Sequence, residues 1–363
     1  MGDYTYNLAK EFVKNGHEVA VICKTDAAIA ARWENTKEGI EVYPIGGTWQ
    51  IKDYQRVLGT IKVMKPDRIL FQYVPGGYNQ SAVPWLLVYF FVQLRKIEIP
   101  VVTTFHEVYV RYDIAKIKYL YTAIGQRIIT GLVAKLSNYI ITSIDRYERQ
   151  LKRWNKQVIQ IPIGSNILPV QIGGTELQQL KIKIAPNGEK IISTFGIRDH
   201  KVLLGLFEEV IQQHPQTVLL ICGKLRADLS FLPQSIQDKI YITGFLDAPD
   251  VHKHLKASDV FVMLDYVSPK GEGGTCNKST SLAAGFAAGL PIFATKGDMT
   301  NKLLLESDIH WLPYNDPKIA AALLCKMIKN ENALLKQNEA SLNFFNRCLA
   351  WRQIYKIYSS NVK

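Results

Sequence analysis

Gly271-Glu-Gly-Gly-Thr-Cys-Asn-Lys-Ser-Thr-Ser-Leu-Ala-Ala-Gly-Phe-Ala-Ala-Gly-Leu-Pro-Ile-Phe-Ala-Thr-Lys-Gly-Asp298 is the stretch on which the reading of this chain turns. Its glycines let a backbone approach a neighbour or a ligand closely. Its hydroxyl-rich middle, Gly274, Thr275, Cys276, Asn277, Lys278, Ser279, Thr280 and Ser281, leads into a helix of small residues. An apolar strand, Pro291–Ala294, follows. A helix start carries N–H groups without intrahelical partners and the positive end of a dipole, which suits a phosphate or a sugar. A capped helix packed tightly by alanine and glycine would use the same residue types, so the string alone leaves both readings open.

Outward from this segment, strands alternate with helical patterns in two series, which implies parallel sheets covered on both faces. The first series begins with a helix whose apolar stripe is Leu8, Ala9, Phe12 and Val13, with Asp3 as the expected N-cap and Gly16 as its end. Strands are expected at residues 19–23, 40–45, 68–73, 101–105 and 139–142, and a last one opens the stretch 158–166. Residues 168–188 are largely polar and read as a linker. The second series places strands at 191–195, 218–222, 240–243 and 260–264, a helix at 202–213, and the helix and strand of the opening segment. Asp316-Pro317 marks one more helix start, with mostly helical sequence after it. The expected division is an N-terminal Rossmann-like domain over 1–167, a C-terminal Rossmann-like domain over 168–338, and a terminal helix over 339–363 packing back on the first domain. Tandem α/β domains bind ligands near the carboxyl ends of their strands.

With 363 residues, 47% of them hydrophobic and 21% charged, the chain has a globular composition large enough for two cores. Five scattered cysteines without a C-x-x-C pair favour reduced thiols, a cytoplasmic setting and no cysteine-based zinc site. The apolar run Ala82–Val92 is too short to span a bilayer and is expected to be a buried helix. Residues 1–160 hold 22 Lys/Arg against 14 Asp/Glu, and the rest 22 against 18. Most of the excess lies between Arg95 and Lys156, among tyrosines and leucines. That stretch could lie on an anionic membrane face, or could simply be solvated. Nucleic-acid binding is not expected, because no helix-turn-helix, zinc-finger or aromatic RNA-binding string occurs. H-E-x-x-H, G-x-x-x-x-G-K-[ST] and G-x-S-x-G are absent as well.

Candidate chemistry sits at expected strand ends. His106 follows the strand ending at Phe105 and could bond a neutral substrate, or be a satisfied structural histidine. Arg198 and Lys201 flank the turn after Phe195, where two cations and a helix start could hold a diphosphate.

Taken in order, GDYTYNLAKEFVKNGHEVAVI, TFHEVY, IPIGSNI, STFGIRDHK, ITGFLDAPDVHKHLKASDVFVML and AAGLPIFATKG resemble the retaining group 1 glycosyltransferases of the GT-B fold, over nearly the whole chain. The resemblance implies two Rossmann-like domains and transfer of a sugar from a nucleotide sugar to a glycan or lipid-linked glycan acceptor, without cofactor or metal. It implies that His106 contacts the transferred sugar and that Arg198 and Lys201 support the diphosphate, though they stand closer together than is usual. By position, Gly2, Gly196, Thr243, Gly244, Phe245 and Leu246 join residues 274–281 as donor-binding candidates, Gly2 as the remnant of a glycine-rich turn.

Two departures are visible. The two glutamates that many members carry fall here on Cys276 and Ala284, with Glu272 four residues before the first slot. The family's usual first strand has no counterpart before Gly2, so a shortened N-terminus is expected, with the flanking strands lacking a central partner. A non-catalytic GT-B binding protein and a sugar-nucleotide epimerase are the alternatives. Polysaccharide or cell-surface glycan synthesis at the inner face of a membrane is the expected setting.

Overall fold

A computed structural model describes residues 1–24, 39–110, 117–196 and 200–361. The chain forms two compact units: residues 1–162 with 354–363, and residues 163–353. Both are α/β with parallel sheets.

In unit 1 the order is α1 (Gly2–Lys14), β1 (Val19–Lys24), β2 (Ile40–Gly46), α2 (Ile51–Met64), β3 (Ile69–Tyr73), α3 (Trp85–Arg95), β4 (Val101–Phe105), α4 (Ile117–Leu136), β5 (Tyr139–Thr142), α5 (Asp145–Leu151) and β6 (Val158–Gln160). Its strands make a two-stranded sheet, β1-β2, and a separate four-stranded sheet, β3-β4-β5-β6. Strand β4, VVTTF, is buried throughout, its two threonines included, as an inner strand with both faces covered. The larger core gathers Tyr54, Tyr73, Phe91 and Phe105 under the helices. Around β1 and β2 the buried set shrinks to Ala9, Val21 and Ile40.

Helix α1 starts two residues earlier than its sequence suggested. Thr5 N–H donates to the Met1 carbonyl, which makes Met1 the N-cap and puts Asp3 inside the first turn. There its charge still faces the positive end of the helix. Gly16 takes φ +84°, the left-handed conformation expected just past the end. The run Ala82–Val92 is only half a buried helix. Leu87, Phe90, Phe91 and Leu94 of α3 enter the core, while Trp85, Tyr89 and Val92 stay exposed.

Unit 2 continues with α6 (Gly174–Ile184), β7 (Lys190–Phe195), α7 (Lys201–Gln213), β8 (Thr217–Cys222), α8 (Gln234–Gln237), β9 (Ile240–Ile242), α9 (Ala248–Lys256) and β10 (Val260–Met263). Then come α10 (Thr280–Ala287), β11 (Ile292–Thr295), α11 (Lys302–Leu305), β12 (His310–Leu312), α12 (Pro317–Ile328) and α13 (Glu331–Phe344). A π-helical turn, Phe345–Leu349, leads into α14 (Trp351–Asn361). One sheet of order β12-β11-β10-β7-β8-β9 runs through the unit, with its first strand in the middle. Strands β8, β10 and β11 are buried at every position. Full burial of one such Leu or Ile is worth about 1.5–3 kcal/mol, so this core is the main support of the loops it carries.

The polar stretch read as a linker contains α6, whose Ile184 is buried and whose Leu177 and Leu180 pack on the core. Its outer face is polar enough to mask the apolar stripe. Asp316 caps α12 as expected, accepting from Ile319 N–H at 3.0 Å with Pro317 in the first turn. The three-residue strand β12 had no separate sequence signal.

Candidate active site

In unit 2 the turns after β7, β8 and β9 each open on a glycine in the left-handed region: Gly196 (φ +102°), Gly223 (φ +130°) and Gly244 (φ +68°). Gly196 N–H donates to the Cys222 carbonyl at 3.2 Å, and Gly223 forms an antiparallel bridge with Gly244. Thr243 Oγ1 accepts from Gly223 N–H at 3.2 Å and donates to the Gly244 carbonyl at 2.8 Å. Thr243 therefore holds two of the turns together, a structural duty that its position alone did not reveal. Beside it, Phe245 is 78% exposed, whereas Leu246 packs on the core. A Cβ on Gly196 would stand 2.8 Å from Ser281 Oγ, so the β7 turn lies directly against the start of α10. Lys201 is the exposed first residue of α7. Arg198, its expected partner, lies outside the described residues.

The opening segment forms a loop walled by backbone. A Cβ on Gly273 would run into the Tyr266 carbonyl, and one on Gly274 into Gly297 N, at φ +103° and +83°. Hydrogen bonds lock the same contacts: Gly274 N–H donates to the Tyr266 carbonyl at 2.9 Å and Met299 N–H to the Gly273 carbonyl at 2.9 Å. Gly273 N–H donates to Asp298 Oδ1 at 2.8 Å. Thr275 is fully buried, pairing its N–H with the Thr295 carbonyl at 2.8 Å and accepting Thr300 Oγ1 on its own carbonyl at 2.8 Å. Ser279 caps α10 by accepting Leu282 N–H at 3.3 Å.

Thr280 and Ser281 open the first turn, where no preceding carbonyl is available to their N–H groups. Both are half-buried, as is Lys278. Next to this helix start, Asn277 N–H donates to Asn301 Oδ1 at 3.2 Å. Asn277 Oδ1 and Asn301 Nδ2 are buried and have no hydrogen-bond partner among the described residues. Such orphaned amide atoms are costly unless something completes them. Cys276 is buried in the loop, and Ala284 sits inside α10 with no exposed surface. The second glutamate slot is thus a packing position in this protein.

In unit 1, His106 directly follows β4 and its N–H donates to the Tyr73 carbonyl at 3.1 Å. Its Nε2 lies 2.8 Å from Gln72 Oε1, and the Tyr78 hydroxyl donates to the Gln72 carbonyl at 2.6 Å. With that oxygen as acceptor, the imidazole carries its proton on Nε2. The Tyr4 ring meets His106 edge-on, centroids 4.8 Å apart. Tyr4 OH in turn lies 2.9 Å from Tyr358 OH, which lies 2.8 Å from Thr104 Oγ1. Burial pushes the Tyr358 phenol up to about 12 and raises that of Tyr4 as well, so both stay neutral.

The sequence pointed to His106 but missed Gln72, Tyr4 and Tyr358. The one available signal was a glutamine at the end of the otherwise apolar run ILFQY. Gly2 stands in a helix rather than in a turn. It is the first residue of α1, outside the left-handed region, and a Cβ there would meet nothing within 4 Å, so no turn geometry demands glycine.

Residues 1–162 match the family described as glycosyl transferase 4-like domain, and residues 191–343 match glycosyl transferases group 1. Each half of the chain is thus similar to a glycosyltransferase domain, the second to one of group 1. Among solved structures, Anabaena HepE in complex with UDP has a TM-score of 0.71 at 12% identity, covering 99% of this chain and 95% of that one. Sucrose-phosphate synthase from Thermosynechococcus elongatus has a TM-score of 0.66 at 16% identity, covering 98% and 91%. A putative UDP-N-acetylglucosamine 2-epimerase from Listeria monocytogenes has a TM-score of 0.60 at 12% identity, covering 98% and 91%. No curated protein matches the chain. At these identities the structures establish the fold, two Rossmann-like domains of the GT-B type.

Proposed function

We propose that the protein is a retaining, metal-independent glycosyltransferase that moves a sugar from a nucleotide sugar to a glycan or lipid-linked glycan acceptor, in polysaccharide or cell-surface glycan synthesis. The observation that carries this reading is the start of α10 in unit 2. A backbone-walled glycine loop delivers first-turn N–H groups, Lys278 and two buried, unpartnered amide atoms of Asn277 and Asn301 to one place. The N–H groups and dipole end suit an anion, and the two amide atoms suit sugar hydroxyls, one as acceptor and one as donor. HepE is described in complex with UDP and with UDP-glucose, which makes a uridine donor the first to test.

Several residues of this chain would divide the work. Lys201, at the first turn of α7, would neutralise charge growing on the departing diphosphate, with Arg198 as the second cation. Gly196, Thr243, Gly244 and Phe245 would shape the nucleotide end, the exposed Phe245 ring offering a face to a base. His106, oriented by Gln72, would hydrogen-bond the transferring sugar. The second reading, a binding protein without turnover, draws on the buried Ala284 and on Cys276 where carboxylates are usual.

The test incubates the protein with a panel of nucleotide sugars and candidate acceptors, following release of nucleoside diphosphate and the anomeric form of the product. Turnover that survives EDTA, falls about 100-fold in kcat/KM for Lys201→Ala and retains configuration supports the proposal. Donor binding without turnover favours the binding protein. A new nucleotide sugar formed without acceptor favours the epimerase. A folded protein that binds no donor overturns the transferase reading.

A further inference from the structure

Helices α3 and α4 pack against each other in unit 1 and send Leu87, Phe91, Ile129 and Val133 into the core. Their outer faces are apolar as well. On α3 the outer stripe is Trp85, Tyr89 and Val92; on α4 it is Tyr121, Ile124, Ile128 and Leu132, again three or four residues apart. These side chains are 36% to 57% exposed. Trp85 Nε1 donates to Tyr121 OH at 3.3 Å, which joins the two stripes into one surface. Single exposed apolar residues are ordinary, but a contiguous two-helix patch marks a surface that something covers.

Charge decides what that is. The two helices contain Arg95, Lys118, Arg127 and Lys135 and not one Asp or Glu. Arg127 is committed to the Val110 and Ala123 carbonyls and to the Tyr109 ring. Arg95, Lys96 and Lys135 are exposed, and the last two prolong the apolar stripes at their C-terminal ends. A second copy docking by a two-fold axis would set these cations against each other, with no carboxylate on either helix to answer them. An anionic bilayer meets every feature instead. Trp and Tyr favour the headgroup level, aliphatic side chains enter the acyl boundary, and each cation near the surface adds attraction. Among the described residues no helix is long and apolar enough to cross a membrane, so the contact is one of lying on the surface.

We infer that the α3–α4 face of unit 1 docks on an anionic lipid surface, with Trp85, Tyr121, Ile124 and Ile128 inserted and Lys96 and Lys135 on phosphate. The proposal goes beyond sugar transfer and does not depend on it. Its test sediments the full chain with vesicles of phosphatidylcholine alone, or with about one-third phosphatidylglycerol, at low and high salt. The expected result is binding to the anionic vesicles only, weakened by salt. It should fall at least about tenfold for Ile124→Glu/Ile128→Glu and for Lys96→Glu/Lys135→Glu. The second pair alters only exposed charges, so it guards against a folding defect in the first, and thermal melts check both. No binding of the parent chain to anionic vesicles overturns the proposal. So does binding that neither pair weakens, or a solution dimer that the isoleucine pair dissociates. Nucleotide-sugar binding, measured separately, stays unchanged in both variants.

Discussion

The two units share one winding scheme yet are held together differently. In unit 2 the first strand, β7, lies mid-sheet and pairs with β8 on one side and β10 on the other, so six strands form one hydrogen-bonded body. In unit 1 the described strands form two sheets, and among the described residues no strand pairing joins β1-β2 to β3-β4-β5-β6, whose link is side-chain packing. The packing differs in kind too. Of the chain's 18 tyrosines, all but Tyr241, Tyr266 and Tyr314 fall in unit 1, several buried and hydrogen-bonded to one another or to threonines. The core of unit 2 is built from aliphatic and phenylalanine side chains, with buried histidines such as His252. A central strand makes backbone bonding sufficient; without one, a unit leans on side chains that can titrate.

That contrast predicts opposite pH weaknesses, with the largest effect in alkali. Burial raises the phenols of Tyr73 and Tyr358 to about 12. The stability they contribute is fully present below the unfolded value near 10 and is lost as pH rises from about 10 to 12, about 3 kcal/mol for each. Unit 1 should therefore open first in base, seen as tyrosinate absorbance rising together with loss of near-UV circular dichroism. Simultaneous loss of both units would break the comparison.

Next in size is Gly274→Val. A side chain at φ +83° would occupy the position of the Gly297 backbone, and we expect a loss of at least about 4 kcal/mol in unit 2 along with donor binding. Calorimetry resolving two transitions should show the unit 1 transition unmoved.

Acid comes third and acts on unit 2. His252 is buried, its Nδ1 has no partner among the described residues, and burial, helped by nearby Lys256, lowers its pKa to about 4. The unfolded chain takes up this proton near pH 6.5 while the folded one resists, so stability present above pH 6.5 is lost as pH falls toward 4, on the order of 3 kcal/mol. His252→Gln should flatten that limb of the denaturation curve.

The smallest effect sharpens the site assignment. Gly2→Ala meets open space at a helix start, so stability should change by no more than about 0.5 kcal/mol. Transfer activity should not change either; a large loss of activity alone would return Gly2 to the donor site.

Much of the architecture was readable because strand and helix periods differ and because glycine, proline and aspartate punctuate them. Asp316-Pro317, Gly16 and the small-residue helix all stand where their chemistry demands. The misses share a cause. Asp3 lost the capping position because the Met1 carbonyl accepts from Thr5 N–H and begins the helix two residues sooner. Helix α6 hid behind a polar outer face, and β12 was too short to show a period.

By itself the sequence determined local conformation: where the chain must turn left-handed, where a helix can start, and which runs need burial on both faces. Those follow from the sterics and hydrogen-bonding needs of a few adjacent residues. Only the tertiary structure decided which of those residues meet. It brought Gln72 to His106, the unused amide atoms of Asn277 and Asn301 to one helix start, and the outer stripes of α3 and α4 into a single face. Each joins residues distant along the chain, and such pairings are set by how buried surfaces pack rather than by local preference.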